Sequence, residues 1–348
     1  PMSIDPFVRV PLGGAKVDVW RLGVGMAALA GLFREVSDEE AAVVLDHAWN
    51  EGIRYYDTAP LYGYGLGEER LGRLLAQHAP ESYTISSKVG RLIYPIEVID
   101  ADPSLEPDRP AVDIPGFDPR EGYFKGAPPQ RPVFDYSYDG VMRSVEDSLR
   151  RTGLERIDIF WIHDPDMHWE QAIGGAYPAL SELRSQGVVS AIGVGMNQAE
   201  MLTRFVREAD IDAVMCAGRY TLLDQGALEQ LFPACEERGT VVVAAGVMNS
   251  GLLANPTPDA KFDYAPAPPE LLQRALDMKD LCERQGVSLR AAAMQFVFGH
   301  PLVVSVVAGV RSIPHVDDAI ANMQWDIPAE LWDEFRAEGL LPEGVPTP

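Results

Sequence analysis

Asp57, Tyr62, Lys88 and His163 are the residues whose types and placement in this chain point to chemistry. Asp57, Lys88 and His163 each terminate a predicted strand, and Tyr62 lies in the loop Thr58-Ala59-Pro60-Leu61-Tyr62-Gly63 that follows Asp57. Singly, Asp57, Lys88 and Tyr62 each have a plain structural role: a capping carboxylate, a solvated rim charge, a packed ring. Together they compose a proton-transfer device. A lysine beside a buried phenol favours phenolate and pulls its pKa down from about 10, and a carboxylate beside the lysine keeps the ammonium charged and oriented. The phenol is then a general acid or base.

These side chains converge only if the strands share one rim. Candidate strands are Arg21 to Gly25, Ile53 to Asp57, Tyr83 to Lys88, Ile157 to His163, Val188 to Gly195, Ala213 to Ala217, Thr240 to Ala245 and Val303 to Ala308. Amphipathic helices alternate with them. In the first, Ser37 and Glu40 spell a capping box and Ala41, Val44, Leu45, Ala48 and Trp49 share a face. Another is expected from Tyr138 to Arg151. Eight β-α units predict a (β/α)8 TIM barrel, whose active sites lie at the C-terminal strand ends. Gly23-Val24-Gly25 is followed by Met26 with no third glycine, so a doubly wound dinucleotide fold is not supported. Residues 91 to 137 break the repeat. They hold nine of the 28 prolines, no sustained period, and the aromatics Tyr94, Phe117, Tyr123, Phe124, Phe134 and Tyr136. The expectation is one barrel domain over 1–348, with 91–137 as an insertion loop at the substrate rim.

Composition narrows the partners. The 348 residues are 47% hydrophobic and 23% charged, which suits a globular core. Fifty-two acidic against 29 basic side chains leave a net charge of −23, which repels nucleic acid and anionic membranes. No apolar run reaches the roughly 20 residues of a membrane helix. Cys216, Cys235 and Cys282 are odd in number and lack a Cys-x-x-Cys pair, and no signal-peptide pattern opens the chain, so a reducing cytoplasmic setting is expected. His163-Asp164-Pro165-Asp166-Met167-His168 packs potential ligands closely, but Asp-Pro-Asp is ordinary turn chemistry and no metal is expected.

The run Tyr56-Asp57-Thr58-Ala59-Pro60-Leu61-Tyr62-Gly63, with Gly67-Glu68, Leu71-Gly72, Lys88 and Ile162-His163-Asp164, resembles the signature of the aldo-keto reductase superfamily. The resemblance implies a nicotinamide cofactor extended across the rim, with Tyr62 as proton donor or acceptor, Lys88 and His163 tuning and orienting it, and Asp57 paired with Lys88. Val133-Phe134-Asp135-Tyr136-Ser137, Gly193-Val194-Gly195-Met196-Asn197, Ala217-Gly218-Arg219-Tyr220-Thr221-Leu222-Leu223 and Asn249-Ser250-Gly251-Leu252-Leu253 are similar to the branch of sugar 1-dehydrogenases and their pyridoxal-oxidising kin. That implies oxidation of the anomeric hydroxyl of a neutral sugar (L-fucose, D-arabinose or L-galactose type) to a lactone. The alternative is an aromatic alcohol-aldehyde pair such as pyridoxal, and a cofactor-sensing regulatory subunit is the reading from another class.

Cofactor contacts are implied at Gly25, Met26, Asp57, Asn197, Ala217, Ala245, Gly246, Val247, Met248, Asn249, Ser250, Gly309, Arg311, Ser312 and His315, and substrate contacts at Tyr62, His163, Tyr136 and Arg219. Several positions depart from the family pattern. Gly195-Met196 and Ala217 replace the usual Ser-Asn and glutamine that hold the carboxamide, leaving Asn197 as the candidate, and Ala245 replaces the stacking tyrosine. Gly309 and His315 stand where NADP-preferring members carry lysine and arginine, so NAD is expected over NADP, with Arg311 a cation that could swing onto a 2′-phosphate. A small-molecule substrate and a monomer or small homo-oligomer complete the expectation.

Overall fold

A computed structural model describes residues 2–108 and 122–348. Eight parallel strands close into a barrel: β1 (Leu22–Gly25), β2 (Tyr55–Asp57), β3 (Thr84–Val89), β4 (Ile159–His163), β5 (Ala191–Met196), β6 (Ala213–Ala217), β7 (Val241–Ala245) and β8 (Val303–Gly309), with β8 pairing back to β1. All eight strands expected from the sequence are present, and the (β/α)8 barrel is the fold. Their ends move by a few residues. Val188, expected to open β5, is 44% exposed and sits in a turn, because no neighbouring strand extends far enough to pair it.

Helices pack outside the barrel. The capping box of α1 (Asp38–Asn50) forms as its sequence dictates: Ser37 Oγ accepts the Glu40 N–H at 3.1 Å and the Glu40 carboxylate accepts the Ser37 N–H at 2.9 Å. Between α2 (Leu66–Leu75) and α3 (Tyr138–Thr152) lies a buried polar lock. Glu68, fully buried, accepts from Ser87 and Ser148 at 2.6 Å each and from Arg151 Nε at 2.6 Å. Ser87 is the outward neighbour of Lys88 on β3, so this lock also fixes the strand that carries the lysine.

Strand residues alternate between the barrel interior and the helix layer. Tyr55, Ile159, Trp161, Ala191, Ala213, Met215, Val243 and Val307 cluster inside, while Tyr56, Phe160, Ile162, Val194, Val214 and Val306 belong to the outer core. Trp161 crosses the centre against Gly193, where a Cβ would lie 2.6 Å from the indole and 2.1 Å from the Ala213 carbonyl oxygen, so only glycine fits. An N-terminal hairpin, Arg9–Pro11 with Asp18–Trp20, adds Val10, Val19 and Trp20 to the inner cluster and closes the bottom. One step above the interior cluster, the same parity places Asp57, Lys88 and His163 inward on three adjacent strands, β2 to β4. On the other five, β5 to β8 and β1, the equivalent inward positions are Gly195, Ala217, Ala245, Gly309 and Gly25. One half of the rim is polar and bulky; the other half is a shelf of glycine and alanine.

The described parts of 91–137 are more regular than their aperiodic sequence predicts. Arg91–Pro95 pairs antiparallel with Gln130–Phe134, Leu92 opposite Val133, and Ile96–Ala101 is helical. The partners are some 40 residues apart and each carries a proline, which a two-stranded ladder with open edges tolerates. The aromatic Phe117 lies outside the described residues.

Candidate active site

The polar half of the rim is built on a buried ion pair. Lys88 Nζ donates to Asp57 Oδ2 at 2.6 Å and to the Thr58 carbonyl at 2.9 Å, with lysine and aspartate 2% and 3% exposed. Ser86 donates to the other carboxylate oxygen at 2.6 Å and Tyr55 stands 3.0 Å from that serine, so the aspartate is held from both sides. An ammonium has three protons. With two engaged, the third faces Tyr62, whose ring centroid is 4.6 Å from Nζ. Burial opposes the ammonium charge, but Asp57 and Tyr62 outweigh it and hold the lysine pKa above its ordinary value.

Tyr62 opens a single turn, Tyr62–Gly65, whose backbone runs through left-handed conformations at Gly63 (φ 65°) and Tyr64 (φ 53°). A Cβ on Gly63 would lie 2.7 Å from the Ala30 carbonyl oxygen, so glycine lets the turn press against the loop after β1. Burial raises the Tyr62 phenol above 10 and Lys88 is the largest influence pulling it down. The lowering expected from the lysine is present, and burial exceeds it. His163 stands edge-on to the Tyr62 ring, centroids 6.1 Å apart. Burial, then the charges of Arg91 and Lys88, push its pKa well below 6.5, so the imidazole is neutral at physiological pH. Asp57, Tyr62, Lys88 and His163 therefore meet in one place.

His163 is fixed from behind. Arg91, paired with Asp108 at 2.6 Å, donates to the His163 carbonyl at 2.8 Å, and the Tyr136 hydroxyl donates to the carbonyls of His163 and Asp164. Tyr136 is fully buried, so the structure puts it beneath the rim as a support and not at the opening as a substrate contact. Arg219 likewise does not point freely into the mouth: it forms two bonds to Asp263, at 3.2 and 2.9 Å, and anchors the turn 261–266 after β7. His168 turns to Glu106 at 3.1 Å and lies against Phe134 and Tyr136, away from His163.

Apart from Asp57, which stands in the polar half, the expected cofactor residues occupy the glycine-alanine half. Asn197, partly exposed just past β5, has an amide with no hydrogen-bond partner among the described residues. Ala217, Ala245, Gly246, Met248, Ser250, Gly309, Arg311, Ser312 and His315 are also reachable from solvent, and a Cβ on Gly309 would meet nothing. Ser312 caps the helix Ile313–Gln324 by accepting the His315 N–H at 3.3 Å. Three others do not offer side chains. Met26 and Val247 are core residues, and the Asn249 amide is engaged by Thr221 at 2.6 Å and the Gly218 carbonyl at 3.2 Å, so they contribute backbone shape alone. Gly25 is buried against Val307. The Arg311 guanidinium donates to the Leu32 carbonyl, and burial plus the nearby Arg34 lower its pKa. A flat, extended dinucleotide fits this shelf: small residues leave room for rings, and Asn197 and the capped helix offer polar contacts at its two ends.

An aromatic lip had no signal in the sequence beyond ring count. Phe33, after β1, lies 6.3 Å from both Tyr123 of the insertion and Tyr264 of the turn after β7. Phe33 and Tyr264 are 50% and 58% exposed with positive φ, and their neighbours hold them: the Phe33 N–H donates to the Tyr123 carbonyl at 2.9 Å. Three loops thus touch across the mouth.

The aldo/keto reductase family model matches residues 21–337. A pyridoxal 4-dehydrogenase of Microbacterium luteolum is 40% identical, covering 98% of this chain and 100% of that protein. A D-threo-aldose 1-dehydrogenase of a Pseudomonas species is 42% identical, covering 92% and 94%. Among solved structures, the glycerol dehydrogenase of Gluconobacter oxydans superposes with a TM-score of 0.69 at 22% identity, covering 98% of this chain and 97% of that one.

Proposed function

The chain belongs to the aldo/keto reductase family and is an NAD(P)-dependent oxidoreductase, and we propose that within this class it is an NAD-dependent aldose 1-dehydrogenase that oxidises the anomeric hydroxyl of a neutral sugar to a lactone. The observation that carries the reading is the buried Lys88–Asp57 pair beneath Tyr62 and beside a neutral His163. Tyr62, as phenolate, takes the proton of the C1 hydroxyl. Lys88 stabilises the phenolate, Asp57 keeps Lys88 protonated, and His163 orients the hydroxyl through its imidazole. A bound nicotinamide supplies the hydride acceptor. Asn197, the run Ala245 to Ser250 and the segment Gly309 to His315 would hold that cofactor. Gly309 and His315 in place of fixed cations support NAD, as does the engagement of Arg311 with Leu32. The chain works as one barrel whose insertion shapes the substrate rim, in a reducing cytoplasmic compartment suited to its three buried free cysteines. Among the described residues no helix is long and apolar enough to cross a membrane.

A second reading, oxidation of pyridoxal, is favoured by the aromatic lip of Phe33, Tyr123 and Tyr264, which can stack a flat ring. Steady-state rates with L-fucose, D-arabinose, L-galactose and pyridoxal, followed at the NADH absorbance, separate the two. The Tyr62→Phe variant should lose at least 10³-fold in kcat while keeping its affinity for NAD; retention of most of kcat refutes the assignment of the base.

A further inference from the structure

Asp164 follows His163 and has no part in the proton relay described above. Its backbone is one of the few outside glycine that enters the left-handed region. Its φ is +45°, in the left-handed region that favours glycine and that aspartate enters more readily than most side chains. The strain is imposed from several sides: the Asp164 N–H donates to the Gly195 carbonyl at 3.0 Å, its own carbonyl accepts from Tyr136 at 2.9 Å, and Arg91 pins the preceding carbonyl. Glycine would relieve the strain at this position, so the carboxyl group is the feature that distinguishes aspartate here.

The carboxyl faces the site. Oδ2 is 3.4 Å from His163 Nε2, and its charge raises the pKa of Tyr62 on one side and of Tyr264 of the lip on the other. The group thus lies against His163 and within electrostatic reach of both the proposed base and the lip. Burial pushes its own pKa up to about 6; Arg91 and Lys88 pull it down, and Asp166 and Asp108 push it up. Among the described residues the carboxylate accepts no hydrogen bond, and His163 Nε2 lies 3.4 Å from Oδ2. A partly buried carboxylate, its side chain 35% exposed beside the proposed base, with open acceptor positions is suited to take a hydroxyl donor.

We infer that Asp164 is a specificity residue whose carboxylate accepts a hydrogen bond from the substrate hydroxyl on the carbon adjacent to the one oxidised. This rests on the sugar reading above, in which the anomeric hydroxyl is held by Tyr62 and His163, and a vicinal C2 hydroxyl is the next donor along the ring.

The test compares D-arabinose with 2-deoxy-D-ribose, which differ only in the C2 hydroxyl, for the wild-type enzyme and for Asp164→Gly and Asp164→Asn. Glycine accepts the left-handed φ and asparagine tolerates it, so both variants should fold, as melting curves will check. Wild type should favour D-arabinose in kcat/KM by about ten- to a hundredfold, the range of a hydrogen bond to a charged group. Asp164→Gly should bring that ratio to within about threefold of unity through loss on D-arabinose, with Asp164→Asn between. A ratio in Asp164→Gly equal to that of wild type overturns the inference, as does an equal loss on both sugars, and the asparagine ratio decides if the glycine variant does not fold. Wild-type inactivity on both sugars alongside turnover of pyridoxal refutes the sugar reading itself, and the inference with it.

Discussion

Replacing Lys88 by methionine separates two roles that the buried pair performs at once. The ammonium balances Asp57 at 2.6 Å, and it favours the Tyr62 phenolate, whose ring centroid lies 4.6 Å away and gives an outer bound on the separation of the charges. At an effective dielectric of about 20, a unit charge at that distance contributes roughly 332/(20 × 4.6), or about 3.6 kcal/mol, which is about 2.6 pH units. Tyr62 already lies above 10 because of burial, so it is protonated near neutrality and oxidation climbs with pH as phenolate accumulates. Loss of Lys88 moves the phenol further up. At a fixed pH below both values the oxidation rate should fall about 400-fold, and the alkaline limb of kcat should retreat beyond the accessible range. Stability falls too, since an unpaired buried carboxylate costs about 3–5 kcal/mol. The double variant Asp57→Asn/Lys88→Met removes both charges, so urea unfolding should show most of that stability restored while kcat stays low. If the double variant recovers activity along with stability, or if Lys88→Met lowers kcat with its pH limb unmoved, the electrostatic account of Lys88 is wrong.

Three further outcomes follow from the same geometry. Glu68→Gln removes the charge that Arg151 pairs with inside the α2–α3 lock, and should lower unfolding free energy by about 2–4 kcal/mol with KM for NAD unchanged; a loss under about 0.5 kcal/mol by urea titration would mean the lock is ornamental. Asp164 has a folded-state pKa of about 6 against 3.8 for the free group, so its contribution to stability is greatest below the unfolded value and is lost as pH rises through 6. Asp164→Asn should therefore raise the melting temperature at pH 8 and not at pH 4; the full shift is about 3 kcal/mol, and with a side chain 35% exposed it is screened to the order of 1 kcal/mol. Finally, kcat/KM with NAD should exceed that with NADP by at least tenfold, and a preference for NADP would mean that Arg311 leaves the Leu32 carbonyl to bind a phosphate.

What the sequence made legible was periodic or chemical, and what it hid depended on partners distant in the chain. The capping box of α1, the eight strands and the convergence of Asp57, Lys88 and His163 all follow from local pattern plus strand parity, because a residue two places past an interior position must also face inward, and Tyr62 joins them from the turn that follows Asp57. Parity also explains why the departures at Gly195, Ala217, Ala245 and Gly309 belong together: they are the same layer on successive strands, so each loss of a side chain widens one continuous shelf. Rim position in sequence does not say which way a side chain turns: Tyr136 is drawn under β4 by two carbonyls, and Arg219 across to Asp263. The lip of Phe33, Tyr123 and Tyr264 comes from three loops with no shared spacing, and Asp164 sat within a turn motif whose composition accounted for it. Its left-handed backbone is visible only in three dimensions, and there the strain and the open carboxylate select it as the residue that meets the substrate beyond the proton relay.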